Sequence, residues 1–169
     1  MNGWIEITPS QTAINAAKNR AASISINKDL GLSKFGSEHR RLITGYLGEE
    51  IFIQHFKLDS VSDHFDYDIL SKNGAKIEVK TISCKSAPLP HYLCVVNSHD
   101  LSGVHKQASD YYVFLRVLND YSKAWILGYI RCKDFFSKGE FIEKGRDFGS
   151  FTFTKANATA LPISMLELF

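Results

Sequence analysis

The stretch YDILSKNGAKIEVKT at positions 67–81 constrains this chain more than any other. Apolar residues alternate on both sides of Asn73-Gly74 (Tyr67 and Ile69 before it, Ile77 and Val79 after it), which is the strongest short-range signature of a β-hairpin. Because side chains alternate across a strand, a one-residue change in the loop sends every one of them to the opposite face. The loop length therefore decides what the hairpin can do.

A two-residue loop pairs Lys72 with Ala75 and Asp68 with Val79, separating Asp68 from Glu78 and Lys80. A three-residue loop, Lys72-Asn73-Gly74, with Gly74 in the left-handed conformation of a bulged turn, pairs Ser71 with Ala75 and Asp68 with Glu78. Asp66, Asp68, Glu78 and Lys80 then share one face, and Tyr67, Ile69, Ile77 and Val79 the other. Only this register gives a clean apolar face for a core, so it is the expected one.

The same register sets Asp68 and Glu78 side by side, with Cβ atoms roughly 4.5–5.5 Å apart. Two carboxylates held that close repel unless a cation lies between them. Oxygen donors favour a hard divalent ion, and Mg²⁺ (or Mn²⁺ in its place) binds through one or two carboxylates, waters and phosphate oxygens. Lys80, two residues beyond Glu78 on the same face, is placed to hold or deprotonate a water aimed at phosphorus. An ordinary surface hairpin with a cross-strand ion pair has the same residue types, so the spacing alone is a weak signal.

With these residues in place the chain resembles the PD-(D/E)xK phosphodiesterase superfamily, the restriction-endonuclease-like nucleases. The resemblance implies an α/β (α+β) fold with a central mixed sheet: a helix, a three-stranded antiparallel meander carrying the acidic motif, a second helix and a further strand. It implies that Asp68 and Glu78 hold the metal with the carbonyl of Val79, and that Lys80 is the catalytic lysine. Tyr67 stands where many members have Pro. A family glutamate on the preceding helix, often in a G-x-x-G-E pattern, corresponds to Glu49 in Gly45-Tyr46-Leu47-Gly48-Glu49. Glu50 and Glu38 are rival assignments, and Glu50 reads better as a solvated helix residue. The implied activity is Mg²⁺-dependent hydrolysis of phosphodiester bonds in DNA, with an endonuclease of restriction, resolvase, phage or repair type favoured.

Local patterns agree with a helix at that place. Ser37 is a good N-cap, Glu38 falls in the first turn, and Leu42, Ile43, Tyr46, Leu47, Ile51, Phe52 and Phe56 recur at helical spacing. Two interior glycines cost about 1 kcal/mol each relative to Ala, which suggests that Gly45 and Gly48 let another backbone approach, with the meander as the candidate. Elsewhere the pattern predicts a helix over 9–22 with Pro9 at its first position, a loop over 27–36, a short strand over 92–96 after Pro88 and Pro90, and a short helix over 101–108. Strands over 111–118 and 124–130 flank a turn at Asn119-Asp120, followed by a helical turn over 132–137 and a late strand over 151–153. The expected layout is one domain: an N-terminal helical extension over 1–36, a core over 37–130 and a C-terminal addition over 131–169.

With 169 residues, 44% of them hydrophobic, the chain can bury a sizeable core. No apolar run reaches the length of a membrane span and the first residues lack a signal-peptide pattern, so a cytoplasmic location without a membrane partner is expected. Cys84, Cys94 and Cys132 are odd in number and lack C-x-x-C spacing, which argues for isolated, buried or partly buried thiols. His91, His99 and His105 read as loop histidines, and the pairs Tyr111-Tyr112 and Phe135-Phe136 as core.

A net charge of +2 is too small for a global field, but Lys18, Arg20, Lys28, Lys34, Arg40 and Arg41 gather in residues 1–45. Arg40, Arg41, Lys34, Lys85 and Gln107 are the candidate DNA contacts. The N-terminal extension is the candidate DNA-binding or dimerisation element, since one such site cuts one strand and a twofold dimer matches a duplex. The alternative class is a nucleic-acid-binding or assembly domain that keeps the fold without catalysis.

Overall fold

The computed structural model describes residues 3–27, 37–59, 67–97, 109–146 and 156–169. The expected short helix over 101–108, the strand over 151–153, and the residues Lys34, Asp66, His99, His105 and Gln107 lie outside them.

The fold is mixed α/β. In chain order it contains β1 (Ile5–Ile7), α1 (Gln11–Asn27), α2 (Ser37–Phe56), β2 (Ile69–Leu70), β3 (Lys76–Cys84), β4 (Leu93–Asn97), β5 (Tyr111–Leu118), β6 (Ala124–Arg131), α3 (Cys132–Lys138), β7 (Glu140–Ile142) and β8 (Ala158–Pro162). A five-stranded sheet runs β1-β6-β5-β3-β2 and a three-stranded sheet β4-β8-β7. Within the larger sheet β3 is parallel to β5, while the β2–β3, β5–β6 and β1–β6 pairs are antiparallel.

Two expectations are corrected here. Among the described residues the hairpin is not extended into the three-stranded antiparallel meander that the resemblance implies: β3 has β2 on one side and the parallel β5 on the other, and β4 pairs with β8 in the smaller sheet. The physical reason is visible in β5, whose buried run Tyr112-Val113-Phe114-Leu115 is apolar on both faces, as a central strand requires. The first helix also starts later than Pro9. Ser10 caps it, its hydroxyl accepting from the Ala13 amide at 3.1 Å, and the helix continues to Asn27.

α1 and α2 cover one face of the larger sheet. Ala13, Ala17 and Ala21, one turn apart and fully buried, bring α1 close to α2, which buries Ile43, Leu47, Ile51 and Phe52 against Ile69, Val79, Val113 and Leu115. The segment read as an extension is thus part of a core layer. On the opposite face Tyr112, Phe114, Trp125 and Leu127 pack with Phe135 of α3 and with Cys94, Val96 and Leu161 of the smaller sheet. The chain ends are built in as well: β1 edges the larger sheet, and the Phe169 ring lies 4.9 Å from Phe56 and 5.0 Å from Tyr129. The cysteines are free thiols, Cys84 and Cys94 buried and Cys132 partly so. No helix among the described residues is long and apolar enough to cross a membrane.

The two helix glycines differ. A Cβ on Gly48 would sit 1.8 Å from the Thr81 hydroxyl oxygen of β3, so Gly48 is where α2 meets the strand carrying Glu78 and Lys80. A Cβ on Gly45 would meet nothing within 4 Å among the described residues, so close approach does not explain that glycine. Gly48→Ala is expected to destabilise the fold by about 1–3 kcal/mol, and Gly45→Ala to stabilise it by up to about 1 kcal/mol. Urea unfolding of the two variants checks this, and equal midpoints would contradict it.

Candidate active site

The hairpin adopts the three-residue loop. Ile69 pairs with Ile77 and Leu70 with Lys76, the Ser71 amide donates to the Ala75 carbonyl at 2.8 Å, and the Gly74 amide to the Ser71 carbonyl at 2.9 Å. Gly74 has φ +79°, the left-handed conformation the loop demands. Three of the four residues of the apolar face predicted from this register join the core: Ile69 and Val79 are buried under α1 and α2, with Ile77 packed against them.

β2 is only two residues long, and its brevity shapes the site. Where the ladder stops, the Val79 amide is taken by a side chain, donating to Asp68 Oδ2 at 2.7 Å. A strand residue's N–H and C=O point to the same side, so the Val79 carbonyl faces the edge that holds the Asp68 carboxylate. Glu78 is buried, and Lys80 Nζ donates to its Oε1 at 2.5 Å. Behind them lies Tyr112, the register partner of Glu78 on β5, whose ring centroid is 5.9 Å from Lys80 Nζ. Burial pushes the Tyr112 hydroxyl well above the ordinary phenol range, and its hydrogen bond to Cys132 acts in the same direction. Tyr112 therefore forms a neutral wall to the site.

α2 supplies Glu49, held by Arg20 of α1 through an Nη1–Oε2 contact of 2.9 Å. The Glu50 carboxylate is farther from that guanidinium, at 3.7 Å. Burial, then the neighbouring Asp68 charge, pushes the Glu49 carboxyl up to about 8, with Arg20 acting against both. The Asp68 carboxyl is pushed up to about 6, first by burial and then by Glu78, while the Val79 amide, Lys80 and Arg20 pull it down. The Asp68 charge thus acts on Glu49 and the Glu78 charge on both, with Arg20 opposing them at each and Lys80 at Asp68. On α2, Glu49 feels the charges of Asp68 and Glu78, and the side chain of Glu38 lies outside the described residues.

The donor set fits a hard cation: the carboxylates of Asp68 and Glu78 and the Val79 carbonyl, all oxygen. Among the described residues no group of three or more His, Cys, Asp or Glu side chains is close enough together to hold an ion unaided. The pair would leave most positions to water and phosphate oxygens, which is how Mg²⁺ usually binds.

The other sequence candidates among the described residues are Arg40, Arg41 and Lys85. Arg40 and Arg41 are exposed near the start of α2, nine and eight residues before Glu49 and so about 12–14 Å from it along the axis. Lys85 is exposed just past the end of β3, five residues beyond Lys80. Sequence reasoning missed two members of the site. Arg20 was read only as one of several N-terminal basic residues, and Tyr112 only as core. Neither carries a local signal, because one arrives through helix packing and the other through a parallel strand pair. The chain matches no family model and no curated protein.

Proposed function

We propose that this protein is a metal-dependent deoxyribonuclease of the PD-(D/E)xK type, with a restriction-endonuclease-like core, that hydrolyses phosphodiester bonds in DNA. The observation that supports this reading most is the hairpin register, which gathers Asp68, Glu78 and Lys80 at the frayed end of β2, with Glu49 brought alongside by α2. A protein that only binds DNA has no physical need to keep carboxylates crowded beside its strand edge, where they repel both one another and the phosphate backbone.

Asp68 and Glu78, with the Val79 carbonyl, would hold Mg²⁺ or Mn²⁺. When bound, the ion supplies charge neutralisation and Lewis acidity at the phosphate. Lys80, already against Glu78, orients the attacking water and offsets charge that builds on the phosphate oxygens. Glu49 accepts a hydrogen bond from that water and fixes its direction. Tyr112 and α3 exclude solvent from behind Glu78. Arg40, Arg41 and Lys85 would contact DNA away from the cut bond, and a twofold dimer would allow both strands to be cut. A cytoplasmic setting suits such an activity.

The deciding experiment incubates the protein with Mg²⁺ and a panel of linear, supercoiled, single-stranded and four-way-branched DNA, alongside calorimetry of Mg²⁺ and Ca²⁺ binding. Both ions should bind with Mg²⁺ alone supporting cleavage, and Asp68→Ala or Glu78→Ala should weaken binding at least about tenfold. Unchanged ion binding in both variants, or no cleavage of any DNA, would overturn the proposal.

A further inference from the structure

α1 packs on α2 through an alanine face, and its inward-facing cation Arg20 follows the buried Ala17 by three residues. That spacing places Arg20 beside Tyr46, Glu49 and Glu50 of α2, which share one helix surface because they lie three and four residues apart. The Arg20 guanidinium carbon is 4.1 Å from the Tyr46 ring centroid, its Nη1 is 2.9 Å from Glu49 Oε2, and 3.7 Å separates it from Glu50 Oε1. An aromatic face beneath a planar cation restricts the plane in which its N–H groups point.

We infer that Arg20 is a positioning residue of the site: braced on Tyr46, it fixes the Glu49 carboxylate in the direction of Asp68 and Glu78 and offsets part of the charge gathered there. The inference rests on the nuclease reading for the reaction it serves, but the pairing of Arg20 with Glu49 can be measured without it.

Among the described residues, the charges around Glu49 are Asp68 just before β2, Glu78 from β3, Glu50 from its own helix and Arg20 from α1. Among the described residues, Arg20 is what opposes the repulsion at Glu49, both by charge and by a hydrogen bond. Glu49 is 13% exposed at its side chain and Arg20 32%, so the pair is shielded more than a surface ion pair, which would contribute almost nothing. A lysine in place of Arg20 would bring the charge but neither the flat contact with Tyr46 nor the forked donor. By this inference α1 is part of the catalytic architecture.

A double-mutant cycle tests it, with Arg20→Ala, Glu49→Gln, both together, and Arg20→Lys. Two quantities are read: the melting temperature in metal-free buffer, and kcat and KM on the best DNA substrate with saturating Mg²⁺. Arg20→Ala should lower kcat about 30-fold or more with KM within about twofold, and Arg20→Lys should recover only part of the loss. The double variant should be no slower than the slower single one, and the stability lost in Arg20→Ala should return when Glu49→Gln is added. Additive effects on both quantities, or wild-type kcat in Arg20→Ala, would overturn the assignment. A wild-type protein that cuts no DNA while the melting temperatures still couple would remove the nuclease reading and leave the Arg20–Glu49 assignment standing.

Discussion

Lys80→Ala is expected to lower Mg²⁺-dependent DNA cleavage about 10³-fold or more while changing DNA affinity less than about threefold. The reason lies in where Lys80 sits. It is partly buried against Glu78 and Tyr112, at a strand edge where a water and a phosphate would meet the carboxylates, so it acts on charge that exists only as the bond breaks. Arg40→Ala combined with Arg41→Ala should do the reverse. Those residues are exposed on the first turns of α2, distant from the carboxylates, and their loss removes ground-state phosphate contacts. The double variant should bind more weakly, with a salt dependence shallower by about two units of log–log slope, and keep its turnover at saturating DNA. Cleavage assays beside salt-titrated binding measurements separate the two behaviours. A wild type that binds but never cuts, with Lys80→Ala weakening binding as much as the arginine changes do, would make a non-catalytic binding domain the better description.

A second large effect is expected in the dependence of stability on pH. The folded state raises the Asp68 carboxyl from 3.8 to about 6 and the Glu49 carboxyl from 4.5 to about 8, chiefly by burial and by mutual repulsion. Both groups hold their protons more tightly folded than unfolded. Their stabilising contribution is therefore fully present below about pH 4 and is lost as pH rises through about 6 and then about 8. At 1.4 kcal/mol per unit, Asp68 alone represents roughly 3 kcal/mol, on the order of 6–12 °C in melting temperature for a chain of this size.

In metal-free buffer the melting temperature should thus carry a falling component between pH 4 and 8. Glu49→Gln should flatten its upper part. Mg²⁺ at 100 times its dissociation constant should return about 2.7 kcal/mol at pH 8, because binding to the folded state alone adds stability. The cleavage rate should move the opposite way across the same range, rising with pH as the carboxylates lose the protons that compete with the cation. Scanning calorimetry of wild type and Glu49→Gln from pH 4 to 9, with and without Mg²⁺, reads all three. Identical pH profiles for the two proteins would show that burial of Glu49 carries no such energy.

Asp68 illustrates what could be read in the chain itself. Alternation and the turn chemistry of Asn73-Gly74 were enough to choose the loop, and the loop was enough to put Asp68 opposite Glu78, because both are decided within fifteen residues by local backbone geometry. The span of α2 was legible for a similar reason: Ser37 and a 3.6-residue apolar repeat are local signals, and the helix runs Ser37–Phe56.

Partners across the fold were not legible. β4 follows β3 in sequence but pairs with β8, while the long apolar run of β5 needs cover on both faces and takes the central place beside β3. β1 passed unnoticed because three residues carry no period, and it exists through pairing with β6. Arg20 was one basic residue among many until the alanine face of α1 closed on α2 and set its guanidinium on Tyr46 and Glu49. By itself the sequence determined the hairpin register, the helix that carries Glu49 and the residue types of the site, all matters of backbone chemistry over a few turns or one loop. Tertiary structure alone decided which strands are neighbours and which distant side chains complete the carboxylate cluster, because those choices depend on burying apolar faces that lie far apart in the chain.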